Sequence, residues 1–303
     1  MTAVASRPVP APAKAPGSTW HRLTPLLVTV LAAAGAYAVH RLFIGTALGQ
    51  EVDTAALRGG DFHHPRVSEV LTRTLDATRL AVLALVCLMA AAFGVLRRRL
   101  DLAIASGFLV IAANLITQQL KAGLERPLLD GFPAPNSWPS GHATAAASAA
   151  FVLVLVFPRA LRGTVGLVGA GYVAIVSVAT VWAEWHRPSD VIAALLIVLA
   201  CGSLAVFAVR LRRTGPAPAI RLPNRLVMVV LGVAAALAAA TAAFGMGAVA
   251  LSERPLPDLV SGRFAFLTGT AGIIAAVAVT VIVWVRLTAG EPTTAPTPQG
   301  DPK

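Results

Sequence analysis

The chain has 303 residues, of which 56% are hydrophobic and 13% are charged, and its formal net charge at pH 7 is +11. So large an apolar share excludes a soluble globular domain and indicates a protein that crosses the membrane several times. The sequence contains no CxxC, HExxH or glycine-rich phosphate loop, so the usual signatures of redox, zinc and nucleotide chemistry are missing.

Eight apolar stretches are long enough to cross a hydrocarbon core as helices, which takes about 20 residues each. The second and fourth are the shortest and lie near the lower limit for a span. The stretches are approximately 24–44, 79–96, 102–122, 141–157, 163–183, 190–209, 226–250 and 264–288. The sequence therefore predicts an all-α, polytopic transmembrane helix bundle.

These spans divide the chain into five predicted segments. Both ends are rich in proline and small residues and are predicted to be disordered, and the connection after the sixth span is basic. The segments are a cytoplasmic tail 1–22, a six-span core 23–209, a basic cytoplasmic linker 210–225, a C-terminal two-span hairpin 226–288 and a tail 289–303.

The distribution of charge predicts how the spans are oriented. With a cytoplasmic N-terminus, the cytoplasmic segments hold 15 of the 25 basic residues and three of the 14 acidic residues. Their net charge is then +12, whereas the segments on the other side carry −1. This is a strong positive-inside asymmetry. The basic excess is therefore assigned to membrane topology, and nucleic-acid binding has no support.

The segment that follows the first span, about 45–78, is long and polar and is predicted to lie on the outer side. Its stretch 66–80, RVSEVLTRTLDATRL, has apolar residues near helical spacing, which predicts a short surface helix. Asp53 is one of several acidic residues of this segment. His63 and His64 are interpreted as a solvated pair, because no further metal ligands of suitable spacing accompany them.

Three stretches rich in phosphate-binding residue types fall at helix ends on this outer side. Singly, the first two have ordinary explanations, because Lys121 can snorkel at the interface, Arg126 can open a loop, and Ser140 with Gly141 can cap a helix. Their common location favours a binding site. The stretches are KAGLERP at 121–127, PSGH at 139–142 and EWHRPSD at 184–190.

His186 and Asp190 are four residues apart across a predicted helix start, so their side chains can meet. The carboxylate can then accept the imidazole Nδ1–H and leave Nε2 unprotonated and nucleophilic. An acidic residue without such a partner would be costly beside lipid. The pair therefore predicts a nucleophilic histidine at the outer face.

The order Lys…Arg-Pro, then PSGH, then His-x-x-x-Asp resembles the type 2 phosphatidic acid phosphatase superfamily, which includes membrane lipid phosphatases and the vanadium haloperoxidases. The resemblance covers the six-span core, about 24–209, and leaves the last two spans outside. It implies that His186 is the nucleophile that becomes phosphohistidine and that Asp190 orients it. It also implies that His142 protonates the leaving oxygen and then activates water.

The same resemblance implies which groups bind the phosphoryl oxygens. They are Lys121, Arg126 and the backbone N–H groups around Ser140 and Gly141, at a helix start that offers unpaired donors and a positive dipole to an anion. The resemblance implies neither a metal nor another cofactor.

The sequence departs from the superfamily pattern at two cations. The arginine of the first motif usually follows the lysine by seven residues, where this chain has Leu128, and Arg126 stands two residues earlier. The third motif usually has an arginine six residues before the nucleophile, where this chain has Thr180. Arg187 is the candidate substitute. Loss of one charged hydrogen-bond donor to the phosphate costs about 1.5–3 kcal/mol of binding free energy if no other donor replaces it.

The leading functional interpretation is a metal-independent lipid phosphatase of the cell membrane, with an extracytoplasmic active site and both termini cytoplasmic. Its candidate substrates are polyprenyl phosphates or diphosphates, phosphatidate and phosphatidylglycerophosphate, whose chains stay in the bilayer while the head group reaches the helix ends. The alternative is a catalytically weak or inactive binder of lipid phosphates in envelope assembly. A transporter is disfavoured, because almost no ionisable residues fall deep within the predicted spans.

Overall fold

The computed structural model of the chain describes residues 17–60, 98–212, 225–253 and 259–289, and between 61 and 97 it describes residues 69, 81, 83–90, 92–94 and 96. These residues are almost entirely helical, and no strand occurs among them. Several predicted features lie outside the described residues. They are most of the two tails and of the linker, His63 and His64, and nearly all of the predicted helix at 66–80.

The described part of the chain contains nine helices. Six of them, α1, α4, α6, α7, α8 and α9, are long and apolar enough to cross a membrane, and α3 and α5 are shorter apolar helices at the two shortest predicted spans. The multi-pass, all-α prediction is therefore confirmed. The helices are α1 (Gly17–Phe43), α2 (Ala47–Arg58), α3 (Leu83–Gly94), α4 (Leu100–Gly123), α5 (Gly141–Val156), α6 (Arg162–Trp182), α7 (Pro188–Leu211), α8 (Arg225–Glu253) and α9 (Gly262–Thr288).

Helix α7 forms the centre of the bundle, where it contacts α1, α4, α5 and α9. It is the most buried of the six long helices, and α5 beside it is buried along nearly its whole length. Both are rich in alanine and other small residues, which let helix backbones approach closely where lipid supplies no hydrophobic drive for association. The second and third predicted motifs therefore lie at the starts of the two most enclosed helices.

The C-terminal hairpin packs into the same core as the predicted six-span segment. The Trp284 indole of α9 stacks on the Phe151 ring of α5, with ring centres 4.8 Å apart, and its Nε1–H donates to the Phe151 carbonyl at 2.9 Å. Gly202 of α7 faces the same indole, and a Cβ there would lie 2.9 Å from a ring carbon. Helix α9 is therefore an integral part of the bundle that carries the motifs.

Two buried arginines hold helix ends together at the side of the bundle opposite the motifs. Arg162 donates to the carbonyl of Leu155 near the end of α5, at 2.9 Å, and to the carbonyl of Thr288 at the end of α9. Arg210 donates to the carbonyl of Leu287. Because the last carbonyls of a helix lack intrahelical donors and carry partial negative charge, a guanidinium there is favourable. These charges, which the sequence predicts to be cytoplasmic, therefore also have a structural role.

Helix α2 was not predicted from the sequence. It lies within the polar segment 45–78 but ends before the stretch 66–80, and the hydroxyl of Thr46 caps its start by accepting the Gly49 N–H at 3.1 Å. It contacts α7, α8 and α9.

Polar residues share the buried face of α2 with the apolar residues Val52, Ala56 and Leu57. Gln50, Asp53 and Thr54 are all buried, at spacings of three and four residues that put them on one side of a helix. In a sequence, apolar residues at this spacing are the usual sign of an amphipathic helix. Because α2 buries polar side chains at this spacing, the apolar pattern does not identify its whole buried face. Its buried face lies against the active-site end of the bundle.

Candidate active site

The second and third motifs are joined directly by a backbone hydrogen bond. Ser140 is fully buried and is the N-cap of α5, where its Oγ accepts the Ala143 N–H at 3.3 Å. The N–H of Ser140 donates to the carbonyl of Asp190 at 3.0 Å. This bond holds the start of α5 against the first turn of α7. Gly141 is the first residue of α5, where backbone N–H groups have no intrahelical acceptor.

His186 and Asp190 lie close together, as their spacing predicts, but Nδ1 of His186 makes no hydrogen bond within the described part of the chain. The Nδ1 atom of His186 lies 3.5 Å from Oδ2 of Asp190, and both side chains are buried. The same Oδ2 accepts the hydroxyl of Ser137 at 2.5 Å and the N–H of Arg187 at 2.9 Å. The carboxylate is therefore held in place by two donors, in a position to orient the imidazole and to stabilise its charged form.

His142 approaches the same imidazole from the start of α5. The centres of the His142 and His186 rings are 6.1 Å apart, and the His142 ring is 5.3 Å from the Trp185 ring. His142 is only partly buried. The two imidazoles are therefore neighbours that meet edge to face at the starts of α5 and α7.

Two guanidinium groups lie beside this pair with unused hydrogen-bond donors. Both Nη atoms of Arg126 and Nη2 of Arg187 are buried and have no hydrogen-bond partner within the described part of the chain. Burial and the positive charge of Arg187 lower the pKa of the Arg126 guanidinium, so the two groups are close enough to interact. Buried charged donors without acceptors are costly, and a phosphoryl group would satisfy them in bidentate fashion.

The structure resolves the two departures from the superfamily pattern. Leu128 is 62% exposed, so the residue at the usual arginine position is an ordinary loop side chain. Thr180 is buried, and its carbonyl accepts the N–H groups of Trp185 and His186, which makes it part of the turn that positions His186. Arg187 is 2% exposed and lies within the site. A buried guanidinium therefore lies in the candidate site although position 180 supplies no cation.

Lys121 is the predicted phosphate ligand that lies on α4. It lies in the last turn of α4 at the same end of the bundle and is partly buried. Its carbonyl accepts the side-chain amide of Asn136 at 3.3 Å, which ties the first motif to the segment before PSGH. The contacts described above do not join its amine to the two histidines, and its role in binding phosphate stays a prediction.

Asp53 is a site residue that sequence reasoning missed. Its carboxylate accepts the N–H of Ser189 at 3.1 Å and the hydroxyl of the same residue at 2.5 Å. Burial, followed by the negative charge of Asp190, raises the pKa of Asp53 to about 7. Only the placement of α2 against α7 brings the two acids together, and no local spacing signals it.

Asp53→Asn should change how stability depends on pH. The raised native pKa means that the native wild type keeps its proton between about pH 4 and 7 while the unfolded chain, with an ordinary value of 3.8, loses it. The contribution of this group to stability is therefore present below about pH 4 and is lost as pH rises through 7. The Asn variant should gain stability relative to wild type over this range, with similar Tm values at pH 4. Parallel Tm profiles for both proteins would contradict a raised pKa.

The described residues contain no group of three or more His, Cys, Asp or Glu side chains placed to hold a metal ion. Cys87 and Cys201 are both free thiols. What the described site offers is two imidazoles, an orienting carboxylate, two guanidinium groups and the start of a helix.

This combination of groups is chemically suited to binding a phosphoryl group. The family model of the PAP2 superfamily matches residues 102–214, a segment that runs from α4 past the end of α7 and contains all three motifs. The match confirms the resemblance seen in the motifs and indicates a membrane phosphatase of lipid phosphates. No curated protein and no solved structure matches the chain. Helices α1, α2, α3, α8 and α9 lie outside the matched segment.

Proposed function

We propose that the protein is an integral-membrane phosphatase that hydrolyses the phosphomonoester or diphosphate head group of an amphiphilic lipid through a phosphohistidine. The observation that supports this most directly is the placement of unpaired, buried guanidinium nitrogens of Arg126 and Arg187 beside the His186–Asp190 pair. A dianionic head group supplies the acceptors that these donors lack. The amphiphile's chains remain in the bilayer, next to the apolar flanks of the helices.

In the first step, Nε2 of His186 attacks phosphorus and the bond from phosphorus to the leaving oxygen breaks. His142, in its protonated form, gives its proton to that oxygen. Asp190 stabilises the positive charge that develops on the imidazole through Nδ1. The guanidinium groups and the N-terminus of α5 hold the phosphoryl oxygens, on which negative charge is concentrated.

In the second step, His142 accepts a proton from a water molecule as its oxygen attacks phosphorus. The phosphorus–nitrogen bond breaks, its electron pair returns to Nε2 of His186, and inorganic phosphate leaves. His142 ends the cycle protonated, ready to act as the acid again. No step in this scheme needs a metal ion.

The decisive experiment is phosphate release by the purified full-length protein from a panel of lipid phosphates, with EDTA present. The panel contains a polyprenyl diphosphate, a polyprenyl phosphate, phosphatidate and phosphatidylglycerophosphate. Turnover of at least one of them, absent in His186→Ala, supports the proposal. Binding of these lipids without turnover would instead favour the alternative, a catalytically inactive lipid-phosphate binder in envelope assembly.

The site is proposed to face the extracytoplasmic side of the cell membrane, because the charge asymmetry places the opposite end of the bundle inside. Reporters fused within 123–139 and within 251–263 should therefore read extracytoplasmic, and one within 213–224 should read cytoplasmic. The last fusion is the control for reporter function. A cytoplasmic signal from the 123–139 fusion would show that the active-site side has been assigned wrongly.

A further inference from the structure

We propose that α2 is a positioning element of this active site, with Thr54 orienting the guanidinium of Arg187 and Gln50 fixing the loop that carries Arg126. The proposal rests on the phosphatase function proposed above. Helix α2 lies outside the segment matched by the superfamily model, so nothing in the three motifs points to it.

Thr54 lies between Arg187 and the acidic residue Asp130 and makes a hydrogen bond with each of them. Its Oγ1 accepts the Nε–H of Arg187 at 3.1 Å and donates to Oδ2 of Asp130 at 2.6 Å. A threonine hydroxyl has one proton, so donating it to the carboxylate turns the oxygen lone pairs towards the guanidinium. Asp130 is itself fixed, because its Oδ1 accepts the Phe132 N–H at 3.1 Å.

This contact restrains one edge of the guanidinium and leaves the other edge for a ligand. The Nε atom of Arg187 donates to Thr54, whereas its Nη2 atom is buried and has no hydrogen-bond partner among the described residues. A planar guanidinium held at Nε can present its remaining N–H groups in one direction only. Thr54 therefore converts a flexible side chain into an aligned phosphate donor.

Gln50 fixes the loop of the first motif through hydrogen bonds to backbone groups that follow Arg126. Its Nε2 donates to the carbonyls of Ile44 and Pro127, both at 2.8 Å, and its Oε1 accepts the N–H of Leu129 at 3.2 Å. The side chain is completely buried. The residues directly after Arg126 are therefore tied to α2 and to the end of α1, which limits the positions that the Arg126 side chain can reach.

The need for such an element follows from the missing cation at position 180. Arg187 reaches the site from the residue after the nucleophile, at the start of α7, rather than from the end of α6. A cation that enters from a different backbone position requires its own orienting contact, and Thr54 provides it. Thr54 is therefore expected to affect phosphate binding through Arg187. Its hydrogen bonds are to Arg187 and Asp130, not to the proposed catalytic residues.

The test is a set of full-length variants measured on the best lipid substrate. Thr54→Val preserves the shape of the side chain and removes the hydroxyl, and we expect it to lower kcat/KM by ~10- to 100-fold, as for loss of a hydrogen bond to a charged group. Thr54→Ser restores the hydroxyl and should regain most of the efficiency. Thr280→Val, the same change at a buried position of α9, is the matched control and should behave as wild type.

The mechanism of the effect is tested in the Arg187→Lys background. If Thr54 acts through the guanidinium, adding Thr54→Val to Arg187→Lys should cause no further loss. A double variant whose loss in kcat/KM equals the product of the two single losses would overturn the proposal. Wild-type efficiency in Thr54→Val would overturn it as well. Thr54→Ala, which favours helix formation, should reproduce the loss if the valine variant fails to fold.

Binding of inorganic phosphate to each purified variant separates this inference from the proposed function. Weaker phosphate binding by Thr54→Val than by wild type supports the positioning role even if no lipid is hydrolysed, in which case only the phosphatase proposal falls. Equal phosphate binding, together with normal lipid turnover by wild type, overturns the positioning role and leaves the phosphatase proposal standing.

Discussion

His186→Ala should abolish phosphoenzyme formation and lower kcat/KM on the order of 10⁴–10⁶-fold, the scale expected when a nucleophile is removed. The reason is geometric: the buried carboxylate of Asp190, held by Ser137 and by a backbone N–H, is aimed at this one imidazole. Trapping the wild type with substrate labelled in the phosphoryl group should yield an acid-labile phosphoenzyme. The variant should yield none.

His142→Ala separates the nucleophile from the acid–base group. Loss of general acid–base help commonly slows a step by ~10²–10⁴-fold, and here it should slow both formation and hydrolysis of the phosphoenzyme without removing the trapped species. His21, on α1 at the opposite end of the bundle, gives the control variant His21→Ala, which should keep wild-type kinetics. Full activity in His186→Ala would eliminate the phosphohistidine mechanism.

Arg126→Lys and Arg187→Lys should each lower kcat/KM by ~10- to 100-fold, although both preserve charge. A guanidinium binds two phosphoryl oxygens at once, and an ammonium cannot reproduce that geometry. Sequence alone left open whether Arg187 is a surface residue, which would make its replacement mild. Because Arg187 is buried and contacts Thr54, its replacement should be as severe as that of Arg126.

The control for this pair is Arg263→Lys, at an exposed position near the start of α9 on the same side of the bundle. It should leave kcat/KM unchanged, which separates loss of a specific donor from a general change in surface charge. Each variant should first be shown to be folded and inserted in the membrane. Near-wild-type efficiency in Arg126→Lys would mean that Arg126 is a loop residue and that the first motif has been assigned wrongly.

Several features of this protein are determined by short stretches of its sequence. The apolar runs have the length of membrane spans, and their hydropathy does not depend on which helices become neighbours. The spacing of His186 and Asp190 makes their side chains adjacent in any helix start, and Ser140 caps the helix that it begins. Each of these is a local property, and the structure reproduces each of them.

Other features are decided only by the tertiary structure, because they depend on contacts between residues far apart in the chain. The burial of Arg187, the approach of Asp53 to Ser189 and the contact of Thr54 with Arg187 all require α2 to pack against α7, more than 130 positions away. Likewise, the entry of Trp284 into the core depends on the close approach of α9 to Gly202. No local pattern encodes these distances. A buried polar face has the same periodicity as an exposed one, and only packing determines whether it meets water or a second helix.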